Sequence, residues 1–287
     1  TSNVYVYGKG NYSGTLSAKF DILPAKQQIQ KLETKYKGFF VDWAQKGSAT
    51  GYDVEYSVNA NMSGAVSKHL TANKPDTLTV SGLSGDKVYY VRVRSYTNVN
   101  GKVYYGAWSD VKSIKTANND ITKATVSGIS TKAFTGKAIT QNVTVKVGNT
   151  VLKNGTDYTV SYSNNKKVGK ATVKITGKGK YGGVITKTFK INPAKQEIQK
   201  LTAKSKAFFV DWAQKGSATG YEIQYATNSK FTGAKKVTIT NNKTDKTTVS
   251  KLSANKKYYV RVRSYTTVGG TKYYGAWSAV KNVTTKK

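Results

Sequence analysis

Apolar and polar residues alternate one by one along several short segments of this chain. In YYVRVRSY at residues 89–96, one face of an extended strand would carry Tyr89, Val91, Val93 and Ser95, and the other face Tyr90, Arg92, Arg94 and Tyr96. The valine face must point into a core, because two arginines cannot be buried without partners. The pattern therefore predicts a half-buried β-strand.

The same period of two recurs elsewhere in the chain. FFVDWAQ at 39–45 places Phe39, Val41 and Trp43 on one face, and GYDVEYS at 51–57 places Tyr52, Val54 and Tyr56 on one face. NVNG at 98–101 and TVGG at 267–270 are turn signals between two strands. Short strands joined by tight turns indicate an all-β protein.

A shift of 169 residues aligns the chain with itself. PAKQQIQKL at 24–32 matches PAKQEIQKL at 193–201, and FFVDWAQKGSATGY at 39–52 recurs unchanged at 208–221. The match also pairs the strand-like runs at 4–8 and 16–22 with residues inside 170–192. We therefore expect residues 1–23 to be the C-terminal strands of a truncated repeat whose full version is 119–192, so that the chain begins inside a domain.

The repeated segments, 24–118 and 193–287, are named the first and second F modules here, and 119–192 is the X module. Each F module resembles a fibronectin type III domain. The resemblance rests on an early-strand Trp, a YxVxY-type strand, a Leu six residues before a Tyr, the YxVRVRSY strand and a closing GAWS. In that family the Leu-to-Tyr spacing forms a tyrosine corner, in which the phenol oxygen bonds to backbone; Leu83 with Tyr89 and Leu252 with Tyr258 match it.

The X module has five strand-like segments separated by GNT, KNGT, SNNKK and GKGKYGG turns. It is similar to the small immunoglobulin-like repeats that accompany fibronectin-type modules in surface proteins of Gram-positive bacteria. The predicted fold class is therefore an all-β, linear array of β-sandwich domains. The resemblance implies an extracellular location, on a bacterial cell surface or secreted.

Composition narrows the classes of function. Cysteine is absent, which excludes disulfides, thiolate nucleophiles and cysteine-based zinc sites. No apolar run approaches the length of a membrane span, so no membrane insertion is expected. The 47 Lys and Arg against 14 Asp and Glu give a formal charge of +33. This charge is read as a soluble lysine-coated surface with weak attraction to anionic wall polymers or glycans, rather than as a specific nucleic-acid site.

The residues that could do chemistry are few and scattered. His69 is the only histidine, and Thr238 stands in its place in the second F module. Asp53 and Glu55 share a strand face, but the adjacent strand offers Arg92 and Arg94 as partners, which would keep both carboxylates ionised. We predict no enzyme activity, no cofactor and no metal site.

Two functions of different classes remain open. The segment is either a binding module for a host extracellular protein or glycoprotein, such as immunoglobulin or mucin, or a structural stalk that carries other domains. The candidate contact residues are the outward tyrosine and arginine side chains, because Tyr and Arg are enriched in binding hot spots: Tyr90, Arg92, Arg94, Tyr96, Tyr259, Arg261, Arg263 and Tyr265. The structural reading is a cross-strand ladder with Asp53 and Glu55.

Overall fold

The computed structural model describes residues 2–74 and 76–287. The chain divides into two compact units. The first comprises Thr1–Ala124, Lys153–Thr159 and Thr176–Val184, and the second comprises Thr125–Leu152, Val160–Ile175 and Ile185–Lys287. The division passes through the X module, and every sheet described below is built from short strands, as expected for an all-β fold.

The first two strands form an antiparallel hairpin, β1 (Ser2–Tyr7) and β2 (Thr15–Phe20). β1 ends one residue and β2 two residues earlier than the sequence pattern predicts. The Gly8 N–H closes the turn between them on the Gly14 carbonyl oxygen at 2.9 Å. Among the described residues, β1 and β2 pair only with each other.

The first F module is a sandwich of two antiparallel sheets. One sheet has the order β3-β4-β7; the other has the order β10-β8-β5-β6, with β9 also paired to β8. The strands are β3 (Ile29–Lys35), β4 (Gly38–Trp43), β5 (Gly51–Ser57), β6 (Val66–Leu70), β7 (Thr77–Val80), β8 (Val88–Val99), β9 (Lys102–Tyr105) and β10 (Lys112–Lys115). Since β9 and β10 are two pieces of one strand along β8, the module has seven strand positions.

The X module is built from shorter pieces. Its elements are β11 (Asn119–Asp120), a 3₁₀ turn (Ile121–Lys123), β12 (Thr125–Ser127), β13 (Lys132–Ala133), β14 (Thr144–Val147), β15 (Thr150–Val151), β16 (Tyr158–Ser163), β17 (Gly169–Gly177), β18 (Tyr181–Gly182) and β19 (Val184–Asn192). The second unit holds the sheet β12-β14-β15 and most of the sheet β13-β19-β17-β16, and β11 pairs with β18 in the first unit.

The second F module repeats the first. Its strands are β20 (Ile198–Lys204), β21 (Ala207–Trp212), β22 (Gly220–Ala226), β23 (Lys235–Ile239), β24 (Lys246–Val249), β25 (Lys257–Val268), β26 (Thr271–Tyr274) and β27 (Lys281–Thr284). They form the sheets β20-β21-β24 and β23-β22-β25-β26, with β27 also paired to β25.

The predicted inward faces form the core of each F module. In the first module Trp43, Tyr52, Val54, Val91 and Val93 are fully buried, and their counterparts, Trp212 among them, are fully buried in the second. The tyrosine corner is confirmed as well. The phenol oxygen of Tyr89 accepts a hydrogen bond from the Ser84 N–H at 3.3 Å, and that of Tyr258 accepts one from Ser253 at 3.2 Å.

Candidate functional site: the outer face of the five-stranded sheets

The candidate residues lie on the outer face of the central strand of each five-stranded sheet. Because side chains alternate along β8, Tyr90, Arg92 and Arg94 point away from the buried valines. Each of the three is partly exposed, as are Tyr259, Arg261 and Arg263 on β25. These six side chains therefore remain together at the surface of their modules.

The arginines of the first module are held by carboxylates on the neighbouring strand β5. The antiparallel register places Arg94 opposite Asp53 and Arg92 opposite Glu55. Arg92 donates from Nε and Nη2 to Glu55 Oε2 at 2.9 and 2.7 Å, and Arg94 Nε donates to Asp53 Oδ2 at 2.9 Å. The cross-strand ladder predicted from the sequence is confirmed, and both carboxylates have a fixed cationic partner.

Trp108 covers the two guanidinium groups from the solvent side. Its ring centre lies 4.4 Å from Arg92 Cζ and 4.5 Å from Arg94 Cζ, and the Tyr105 ring lies 3.8 Å from Arg94 Cζ. Such contacts between a guanidinium and an aromatic face are attractive. The arginines are thus fixed between a carboxylate at the edge and aromatic rings above.

The interruption between β9 and β10 brings Trp108 to this position. Ser109 takes over the strand pairing with Val93: its N–H donates to the Val93 carbonyl oxygen at 2.8 Å, and its Oγ accepts from the Val93 N–H at 3.0 Å. The neighbouring Trp108 is free of the regular strand geometry and lies over the sheet. GAWS was interpreted only as a sign of the family, so Trp108 and Trp277 were not predicted as parts of the site. The recurrence of this segment beside the arginine strand was the available signal.

The second module keeps the arrangement with changed partners. Arg263 donates from Nε and Nη2 to Glu222 Oε2 at 2.9 and 2.6 Å, whereas Arg261 Nε donates to the amide oxygen of Gln224 at 2.7 Å. Trp277 lies over both arginines, at 4.7 and 4.3 Å. We call the outward group Tyr90, Arg92, Arg94, Tyr105 and Trp108, and its counterpart Tyr259, Arg261, Arg263, Tyr274 and Trp277, the ladder face.

Charge and burial shift the pKa values of two ladder residues in the second module. Burial raises the pKa of Glu222, but hydrogen bonds from Arg263 and Lys236 outweigh it, so the pKa lies below its ordinary value. Burial, followed by the positive charge of Arg263, lowers the pKa of Arg261. Glu222 is therefore held as a carboxylate, which suits a structural pair and not an acid catalyst.

Tyr96 and Tyr265 do not belong to the exposed face, which corrects the sequence-based expectation. They are only 4% and 2% exposed. Each lies opposite a glycine on the adjacent strand, Gly51 and Gly220 respectively, and the ring occupies the space that a side chain there would fill. Their hydroxyls donate to the carbonyl oxygens of Leu70 and Ile239, at 3.2 and 3.3 Å.

His69 lies beside the buried Tyr96 in the first module. Its Nδ1 is 2.6 Å from Asp53 Oδ1, and its ring stacks on Tyr96 with 4.7 Å between ring centres. Asp53 thus has Arg94 on one oxygen and His69 on the other. The histidine supports the ladder, a role that Lys236, two residues before the homologous Thr238, takes for Glu222 in the second module at 3.0 Å.

A search of the described residues finds no group of three or more His, Asp or Glu side chains that could hold a metal ion. Within the same residues, no helix is long and apolar enough to cross a membrane.

Comparisons with known proteins bear on the F modules. Residues 193–280 match the family model described as fibronectin type III domain. A search of curated proteins returned no match. Among solved structures, the FN1–FN3 domains of chicken CNTN1 are 16% identical, with 92% of this chain and 99% of that chain covered and a TM-score of 0.30.

Fibronectin type III domains are general adhesion or spacer modules of extracellular or surface proteins, and arrays of them are typically non-catalytic. The first F module has the same strand order and the same tyrosine corner as the matched segment. The second F module thus matches the fibronectin type III family model over residues 193–280, and the first F module repeats its architecture.

Proposed function

We propose that the chain is a non-enzymatic segment of a bacterial surface protein and that it binds a host extracellular protein or glycoprotein through the ladder face. The pairing of fibronectin-type modules with an immunoglobulin-like X module supports the bacterial surface setting. Immunoglobulin and mucin are the ligands to test first. A sheet edge beside the face suits β-strand addition by an immunoglobulin domain, and its aromatic rings suit stacking on sugars.

The observation that carries the binding proposal is the fixed geometry of the ladder face. Each arginine is held by a hydrogen-bonded partner on the next strand and by an aromatic ring above it. Side chains that are already ordered lose little conformational entropy on binding. Trp, Tyr and Arg are also the residue types most enriched in binding hot spots.

A second function, the structural stalk, is favoured by a specific feature of the same face. All four guanidinium groups have a partner within their own sheet, so the ladder is satisfied without a ligand. In this reading Trp108 and Trp277 only cover the arginines and stiffen each module.

The two functions are separated by removing exposed aromatic surface while leaving the arginine pairs in place. The variant carries Tyr90→Ala, Trp108→Ala, Tyr259→Ala and Trp277→Ala in the full chain. Binding to immobilised polyclonal immunoglobulin G and to purified mucin is measured by surface plasmon resonance. If the ladder face binds a ligand, the variant should bind immunoglobulin G or mucin at least tenfold more weakly than the original chain. This is a loss of about 1.4 kcal/mol or more of binding free energy.

The matched control lies on the opposite sheet of each module. Phe40 and Phe209 are aromatic residues of that sheet approached by lysines, at 5.5 Å for both Lys35 and Lys204. Phe40→Ala with Phe209→Ala should leave the affinity unchanged. If the ladder variant, folded by circular dichroism, binds both probes as well as the original chain, or the original binds neither, the stalk function replaces this proposal.

A further inference from the structure

One face of the β1–β2 hairpin is apolar and uncovered. In the hairpin register Val4 pairs with Ala18 and Val6 with Leu16, while Ser2 pairs with Phe20. Directly paired residues share a face. Val4, Val6, Leu16 and Phe20 therefore lie together, and they are 49%, 59%, 76% and 51% exposed. Isolated exposed apolar residues are ordinary, but a contiguous apolar sheet face marks an interaction surface.

The chain contains a second copy of this hairpin in which the same face is buried. The 169-residue shift places Val4 on Val173, Val6 on Ile175, Leu16 on Ile185 and Phe20 on Phe189. These four residues of β17 and β19 are between 0% and 9% exposed. Tyr5 of the opposite face corresponds to Lys174, which is exposed. The two copies thus share one pattern of inward and outward residues.

The X module shows which segment accompanies such a hairpin. In the second unit, residues 125–152 form the sheet β12-β14-β15 and carry the buried side chains Ile139, Val145 and Leu152. The hairpin strands also have outer neighbours there: β17 pairs with β16, and β19 pairs with β13. On β1–β2 the corresponding edges have no partner strand among the described residues.

We propose that the β1–β2 hairpin is a docking site for a strand layer of the same type as residues 119–169, which completes a second X-type sandwich on it. The layer would cover Val4, Val6, Leu16 and Phe20 and would pair with the open strand edges. Residues 119–169 contain seven lysines against two acids, Asp120 and Asp157, so recognition rests on apolar packing and backbone pairing and not on attraction to the positive charge of the chain. Docking is therefore insensitive to salt.

The test supplies this layer to the full chain. A copy of residues 119–169 is fused directly before residue 1, which continues the register of the repeat because residue 170 corresponds to residue 1. Hydrogen–deuterium exchange is measured on β1 and β2. We expect the amides of both strands to exchange at least tenfold more slowly than in the original chain, equally at low and high salt.

Two variants make the result specific to the apolar face. Val4→Ser with Val6→Ser should abolish the added protection. Tyr5→Lys with Tyr7→Thr, which copies Lys174 and Thr176 onto the opposite face, should preserve it. Unchanged protection in the valine variant would overturn the proposal.

A positive control shows that the fused layer can fold. In a matched chain, residues 1–23 are replaced by residues 170–192, the hairpin that this layer accompanies in the X module. If that hairpin is protected and β1–β2 in the test chain is not, the proposal is wrong. Dimerisation of the original chain through the hairpin, seen by sedimentation and lost in the valine variant, would also overturn it, because the occupant would then be a second hairpin.

Discussion

Gln27 and Gln196 occupy the same position of the two F modules and are both 2% exposed, but only one has its amide satisfied. Gln196 Nε2 donates to the Ala213 carbonyl oxygen at 3.1 Å, and its Oε1 accepts from the Glu197 N–H at 3.2 Å. Neither amide atom of Gln27 has a hydrogen-bond partner among the described residues. A buried unsatisfied polar group costs about 1–3 kcal/mol.

Replacing Gln27 by Leu should therefore leave the first F module equally stable or more stable by about 1 kcal/mol. The same change at Gln196 removes two hydrogen bonds and should destabilise the second module by about 1–2 kcal/mol. Native-state hydrogen exchange of β3 and β20 reports the two modules separately. Equal destabilisation of both would contradict this account of Gln27.

Glu222 makes the second module sensitive to acid. Its pKa is lowered in the folded chain, so its contribution to stability is present above the ordinary value of 4.5 and is lost as the pH falls through the lower folded value. Glu222→Gln should destabilise the module by about 1.5–3 kcal/mol at neutral pH and flatten its loss of stability below pH 4.5. Exchange of β22 amides between neutral and acidic pH measures both effects. Glu197→Gln, which changes an exposed side chain, is the control at neutral pH. If Glu222→Gln loses stability below pH 4.5 as the original chain does, Glu222 is not the cause of the acid sensitivity.

At the scale of the strand, the pairing of β5 with its neighbours depends on Gly51. A Cβ added there would meet the carbonyl oxygen of Leu70 and would come within 2.6 Å of the Tyr96 hydroxyl. Since Leu70 lies on the paired strand β6, Gly51→Ala must open the sheet edge or displace the Tyr96 ring. Gly47, which has open space around its Cβ position, provides the control.

We expect Gly51→Ala to destabilise the first module by about 1–3 kcal/mol, the usual cost of overpacking, and to speed amide exchange in β6. Gly47→Ala should change neither. If the amides of β6 exchange at the wild-type rate in Gly51→Ala, the sheet edge and the Tyr96 ring accommodate the added methyl group without cost, and the prediction is wrong. The homologous change, Gly220→Ala, should affect β23 in the same way, because its Cβ would meet the Ile239 carbonyl oxygen.

At the scale of the whole chain, the charge of +33 predicts two salt responses. Binding to polyphosphate should weaken at least tenfold between about 50 and 200 mM salt, because exposed charges are screened beyond about 8–10 Å. A protein ligand bound through the ladder face should lose far less, since stacked rings and paired guanidinium groups are held by short contacts. Parallel titrations of polyphosphate and immunoglobulin G measure both. If the affinities for polyphosphate and for immunoglobulin G fall equally steeply with salt, both ligands are bound by charge alone.

The period-two pattern was enough to place β4, β5 and β8, their buried valines and aromatic residues, and the pairing of Arg92 and Arg94 with Glu55 and Asp53. Alternation and antiparallel pairing are local rules, so a short stretch of sequence specifies which side chains share a face. The tyrosine corner follows from spacing within one segment for the same reason.

Whether an outward residue is exposed was decided by distant parts of the chain. Tyr96 and Arg94 lie on the same face, yet Tyr96 is buried because Gly51 leaves room for its ring and His69 stacks on it. Trp108 reaches the arginines only because Ser109 replaces a strand residue opposite Val93. The same hairpin pattern is buried at β17–β19 and exposed at β1–β2. Alternation assigns a side chain to a face, but only the three-dimensional packing of other segments determines what covers that face.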